Sequence, residues 1–155
     1  MDNKIDLKDT TFIIPVKIES NDRFMNAKIV LKYLMSCFET NIMIFEVPHE
    51  GEYKIPSILD ELSSIVGESE VIYFSYEESG ISGDDKNAFH RTAYLNFMLK
   101  RVKTKCTVNY DLDVLLPIQS YVCSVKSIAE GSAQVVYPYG KGRWQKMVDI
   151  GIKDE

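Results

Sequence analysis

An α/β domain with a mostly parallel central sheet and helices on both faces is predicted by three features of the sequence. Short apolar runs rich in β-branched residues recur along the chain, segments of helical period separate them, and prolines close the first two runs. Runs of this continuous apolar kind belong to strands buried on both sides, and strands that alternate with helices pair in parallel.

Thr11-Phe12-Ile13-Ile14-Pro15-Val16 is the first buried strand, ended by Pro15 and by polar Lys17, Glu19, Asn21 and Asp22. Ser20, Asn21 or Asp22 supplies an N-cap, after which Phe24, Ala27, Ile29, Val30, Leu31, Leu34, Met35 and Phe38 define an amphipathic helix reaching Glu39. Asn41 to Val47, closed by Pro48, is the second strand, and the strand, helix, strand unit so completed takes a right-handed crossover. Ile55, Ile58, Leu59, Leu62 and Ile65 give a short helix closed by Gly67, and Val71-Ile72-Tyr73-Phe74 gives a third strand. The loop from Glu77 to Asp85, with Gly80, Gly83 and four carboxylates, reads as solvated surface. Phe89, Tyr94, Leu95, Met98, Leu99 and Val102 then mark a second long helix. Lys100, Arg101, Lys103 and Lys105 cluster at its end, where cations suit the dipole. Cys106 to Tyr110 is the fourth strand and runs directly into Asp111-Leu112-Asp113. Pro117 opens a helix over Ile118 to Ala129, Gly131 ends it, Ser132 to Pro138 reads as a fifth strand, and Tyr139 to Trp144 as a mobile or ligand-facing loop.

The chain has 155 residues, 45% hydrophobic and 26% charged, the composition of one soluble globular domain spanning residues 1–155. A net charge of −5 is the wrong sign for sequence-independent grip on nucleic acid. No apolar run reaches the ~18 residues of a membrane span, and Met1-Asp2-Asn3-Lys4 lacks the apolar stretch of a signal peptide, so a cytoplasmic location is expected. Cys37, Cys106 and Cys123 share no metal-type spacing and read as reduced core thiols. No Gly-X-Gly-X-X-Gly or P-loop pattern follows any strand, and no hydrolytic triad stands out.

Two features carry chemistry. Ligands of open parallel sheets bind at the carboxyl ends of strands, and Asp111 and Asp113 lie at such an end. Residues two apart in extended chain point the same way, so both carboxylates can meet one hard cation, magnesium or manganese. Asp is also an ordinary turn residue after a strand, so the spacing alone leaves both readings open. The second feature is Arg91, at the start of the helix before the acidic strand end. There it can add bidentate hydrogen bonds to an anion such as a diphosphate, or pair with Asp84 or Asp85 as a surface arginine. His90 beside it reads as structural.

Taken in order, these pieces resemble the nucleotide-sugar-binding half of glycosyltransferases with the GT-A fold, a Rossmann-like architecture, particularly family 2 enzymes and the β-1,4-galactosyltransferase and chondroitin-polymerase type. Phe12-Ile13-Ile14-Pro15 followed by Asp22-Arg23 looks like the family's opening strand and loop. Phe89-His90-Arg91-Thr92-Ala93-Tyr94-Leu95-Asn96 looks like its Phe-Asn-Arg-Ala-Lys-Leu-Leu-Asn segment, with His90 in place of asparagine. Asn109-Tyr110-Asp111-Leu112-Asp113-Val114-Leu115-Leu116-Pro117 is similar to its Asp-X-Asp segment and trailing proline.

The resemblance implies roles that composition does not. Pro15, Val16 and Glu46 would lie against the uracil and ribose of a uridine diphosphate (UDP) sugar, and Arg23 and Arg91 would face the nucleotide or its phosphates. Asp111 would approach the ribose or the metal, and Asp113 would hold Mn2+ or Mg2+ bridging the two phosphates. Members of the family continue into a C-terminal half that carries an acidic general base and the acceptor site, often in a Gly-Trp-Gly-Glu-Asp type segment. Trp144 follows Tyr137 to Arg143, which looks like the middle loop instead, so the acceptor half is expected to be missing from this sequence. The implied function is metal-dependent sugar transfer from a UDP-sugar to an unknown glycan or lipid-linked acceptor. The alternative is a non-catalytic nucleotide-sugar-binding or assembly module, with a sheet edge open to a partner or to a second copy. A response-regulator-like domain fits less well, because its acidic pair follows the first strand.

Overall fold

The computed structural model describes residues 4–81 and 89–138. Its elements run β1 (Ile5–Lys17), α1 (Asn21–Cys37), β2 (Phe38–Val47), α2 (Ile55–Leu62) with a 3-10 turn over Ser63–Ile65, β3 (Glu70–Ser75), α3 (Arg91–Leu99), β4 (Cys106–Asn109) and α4 (Ile118–Ala129). The chain divides into two compact units, Met1–Leu115 and Leu116–Glu155, and the first holds the sheet with α1 to α3.

All strand pairs in that unit are parallel, in the order β3-β2-β1-β4. Parallel neighbours need crossovers, and a right-handed crossover places its helix on a face set by the direction of travel. From β1 through β2 to β3 the chain steps one way across the sheet; α3 carries it back past β1 to β4, and so lies on the opposite face from α1 and α2. Burial follows this division. Ile13, Met43, Phe45 and Val47 form one cluster with Tyr94 and Met98 of α3. The intervening Phe12, Ile14, Ile42 and Ile44, all fully buried, point to the other face, towards the helix that buries Ala27, Val30, Leu31, Leu34 and Met35. The predicted α/β class, parallel sheet and two helical layers are therefore present.

The boundaries depart from the sequence reading for physical reasons. β1 begins at Ile5, six residues before the apolar run, because β2 supplies backbone partners from Ile5↔Phe38 onward; a register shift separates Leu7 from Thr11. Ser20 is the N-cap of α1, its Oγ accepting the Arg23 N–H at 3.2 Å. The helix stops at Cys37 because Phe38 is already extended, at φ −127° and ψ 148°, and starts β2 without a loop. α3 is shorter than expected, with Phe89 and Val102 in the flanking turns. The expected fifth strand is absent: Ser132 to Pro138 is irregular, with Val135 and Tyr137 exposed. A β-branched run becomes a strand only beside a partner, and the second unit holds no other strand among the described residues. The expected loop from Tyr139 to Trp144 lies outside the described residues, as do Asp84 and Asp85. All three cysteines are free, but only Cys106 is fully buried, and Cys123 is exposed on α4, contrary to a core role. Among the described residues no helix is long and apolar enough to cross a membrane.

Candidate functional site

The sheet order reverses direction between β1 and β4, and in open α/β sheets the crevice beyond the carboxyl ends of two such strands receives ligands. β4 is only four residues long and pairs with Thr10 to Ile13; the Tyr110 N–H donates to the Ile13 carbonyl at 3.1 Å as the last rung. Pro15, two residues beyond Ile13, directs its ring nitrogen to the same side. It therefore stands past the end of β4, where a missing N–H breaks no ladder bond, which is why a central strand tolerates proline here. Pro15 and Val16 are both buried, paired in register with Phe45 and Glu46 of β2. At the end of β1, Lys17 pairs with Glu19 at 3.1 Å and holds the Glu19 carboxyl below its ordinary range.

Arg91 is the first residue of α3, so the crossover brings it to the same carboxyl edge. Its guanidinium spans the end of β4, donating from Nη1 to Asp111 Oδ1 at 2.6 Å and from Nη2 to Asn109 Oδ1 at 3.0 Å. The sequence reading offered Asp84 or Asp85 as a surface partner, and both lie outside the described residues; among the described residues the ion pair is with Asp111, twenty residues downstream. Both side chains are partly exposed, at 38% and 50%, so the pair contributes about 0–1 kcal/mol to stability and is held in place more by geometry than by energy. Asn109 stands in the segment similar to the family's Asp-X-Asp but has no assigned role in the sequence, although the spacing of two applied to Asp111 and Asp113 applies equally to Asn109 and Asp111.

Alternation continues past the strand end. Tyr110 and Leu112 are buried, while Asp111 and Asp113 are exposed. The Tyr110 hydroxyl donates to the Val114 carbonyl at 2.6 Å, folding the acidic turn back over a buried ring. Asp113 makes no ion pair or side-chain hydrogen bond among the described residues, and its oxygens are open to solvent. Two carboxylates offering only oxygen suit a hard cation whose remaining positions are filled by water or ligand oxygens. No group of three or more His, Cys, Asp or Glu side chains that could hold a metal occurs among the described residues.

The other expected site residues are placed differently. Arg23 is exposed on the first turn of α1, and its backbone N–H, not its side chain, is engaged. His90 is the N-cap position of α3, with no side-chain capping bond; its carbonyl accepts from the Ala93 and Tyr94 N–H groups. Glu46 is buried inside the fold. Its carboxylate accepts from the Lys54 N–H at 2.8 Å, the Ile55 N–H at 3.2 Å and the Tyr73 hydroxyl at 2.9 Å, which makes it the N-terminal cap of α2. The structure thus joins Arg91 to Asp111, sets Asp113 beside them in sequence on the exposed side of the turn, and commits Glu46 to a helix end.

Neither protein-family models nor curated proteins match the sequence. Among solved structures, the crystal structure of S. aureus TarS, a GT-A-type glycosyltransferase, matches with a TM-score of 0.51 at 15% identity, covering 81% of this chain. The chain spans 20% of the length of TarS. At that identity the likeness concerns the fold, and the fold of this chain is glycosyltransferase-like.

Proposed function

We propose that the chain is the donor-binding part of a metal-dependent glycosyltransferase, receiving a UDP-sugar in the crevice at the carboxyl ends of β1 and β4. One observation carries this reading: Arg91 and Asp111, far apart in sequence, meet at the point where the sheet order reverses, with Asp113 exposed two residues on. Arg91 offers a fork of donors to the diphosphate, and Asp111 with Asp113 offers oxygens to Mn2+ or Mg2+. When bound, the cation supplies Lewis-acid stabilisation for the diphosphate that leaves the sugar. Pro15 and Val16 form the floor beside the nucleoside, in keeping with the family resemblance. Transfer also needs a base on the acceptor hydroxyl, and none is assigned among the described residues.

Calorimetric titration of UDP with and without Mn2+ tests this reading. Wild-type affinity should require the metal, and Asp113→Ala should weaken binding more than tenfold, or ~1.4 kcal/mol. Equal, metal-independent binding by both proteins would overturn it. A second reading is a nucleotide-sugar-binding module without transfer, for which the same Arg91–Asp111 geometry suffices. Hydrolysis or transfer assays with Mn2+ separate the two, since the module binds and does not turn over.

A further inference from the structure

Arg91 holds two unlike acceptors at once, charged Asp111 and neutral Asn109. They stand two residues apart at the end of β4 and face the same fork of donors. In the donor-bound state described above, the charged half of this arrangement is wanted elsewhere. A phosphate competes with Asp111 for the guanidinium, and a divalent cation competes with Arg91 for the carboxylate. Asn109 competes with neither, because an amide oxygen is a poor rival to phosphate and carries no charge to attract the metal.

We propose that the Arg91–Asp111 ion pair is a latch that a cation and a diphosphate open only together, with Asn109 as the positioning residue that keeps the guanidinium at the crevice while its other partner is exchanged. This inference rests on the donor-binding reading. A cation arriving alone takes Asp111 and strands Arg91 without its counterion; a diphosphate arriving alone takes Arg91 and leaves a bare carboxylate beside its own negative charge. Arriving together, both halves of the pair are matched again. The partial exposure of both side chains keeps the exchange easy, since neither group has to leave a buried setting. Cation and diphosphate then raise each other's affinity by the same factor, as linkage requires.

Direct contact between bound Mn2+ and UDP would also couple the two, so the decisive measurement uses Mn2+ alone, followed by the loss of its free-ion paramagnetic resonance signal. Arg91→Lys keeps the charge but cannot span two acceptors, because an ammonium is a point donor and not a planar fork. It should bind Mn2+ alone several-fold more tightly than wild type and Mn2+ with UDP several-fold more weakly. Asn109→Ala should reduce the enhancement of UDP affinity by Mn2+ several-fold, with an unchanged circular dichroism spectrum. If Arg91→Lys binds Mn2+ alone no better than wild type, while wild type still binds Mn2+ with UDP, the latch is overturned and the donor-binding reading stands. If wild type binds neither Mn2+ nor UDP, both fall.

Discussion

Glu46 is the one buried carboxylate among the described residues, and burial pushes its carboxyl above the ordinary value against the pull of Lys54, Tyr73 and Ile55. The folded protein therefore holds this proton more tightly than the unfolded chain. Its contribution to stability is full below the ordinary glutamate value of 4.5 and is lost as pH rises through the raised folded value. Glu68 and Asp9, held below their ordinary range by Lys8 and Lys105, act with the opposite sign, so the useful quantity is a difference between proteins. Denaturant midpoints measured from pH 4.5 to neutrality should fall less steeply for Glu46→Gln than for wild type; an equal or steeper fall would remove Glu46 as the cause. Gly67 makes a separate demand at the same scale. Its φ of +64° is left-handed, and a Cβ there would lie 2.6 Å from Lys4 Nζ, which itself donates to the Ile65 and Val66 carbonyls behind α2. Gly67→Ala should cost about 1–2 kcal/mol in urea unfolding, chiefly from the backbone, because the lysine end can move aside. Adding Lys4→Met should not restore the loss.

At the scale of elements, α3 is the part on which the candidate site depends most. It has only nine residues, yet aromatic contacts fasten it to the sheet. Tyr94 stacks on Phe45 at 4.7 Å, Phe97 meets the edges of Phe45 and Phe74 at 5.3 and 5.2 Å, and Arg101 lies over the Phe97 ring at 3.6 Å. Phe97→Ala should lower stability by about 1–2 kcal/mol, less than a fully buried ring because Phe97 is only partly buried, and weaken UDP binding with it, since the same helix presents Arg91. Stability falling while affinity stays constant would show that Arg91 is placed by β4 alone. The apolar period that makes this face also made α3 legible in the sequence, together with the central runs of β1, β2 and β3 and the whole of α4. The first half of β1 was not legible, because Asp6, Lys8 and Asp9 interrupt any apolar signal and only the backbone of β2 makes it a strand. The run from Ser132 to Pro138 erred the other way: Val135 and Val136 carry the strand signal without a neighbour to satisfy it.

Across the whole molecule, what pattern reading cannot supply is long-range adjacency. Asp111, Asp113 and Arg91 were each visible as candidates, but the partnership of Arg91 with Asp111 and Asn109 exists only because the sheet order sets β4 against β1. Glu46 was visible as a charged residue at a strand end, while its use as the cap of α2 depends on where the next helix begins. The division of the chain is also a property of the whole. Tyr121 is the one buried hydrophobic side chain after Leu115 among the described residues. A chain ending at Leu115 is therefore expected to keep a single cooperative thermal transition and the far-ultraviolet helix signal of α1 to α3, reduced only by the loss of α4. Broad, non-cooperative melting would show that the second unit is needed for the first to fold.

The pairing of Thr10 with Cys106 bears on synthesis as well. As the chain leaves the ribosome, β4 is the last strand of the sheet to be made, and a domain generally folds as a unit. The crevice has only one wall until Cys106 to Asn109 arrives, so on the donor-binding reading a nascent chain stalled before that point does not yet present the site.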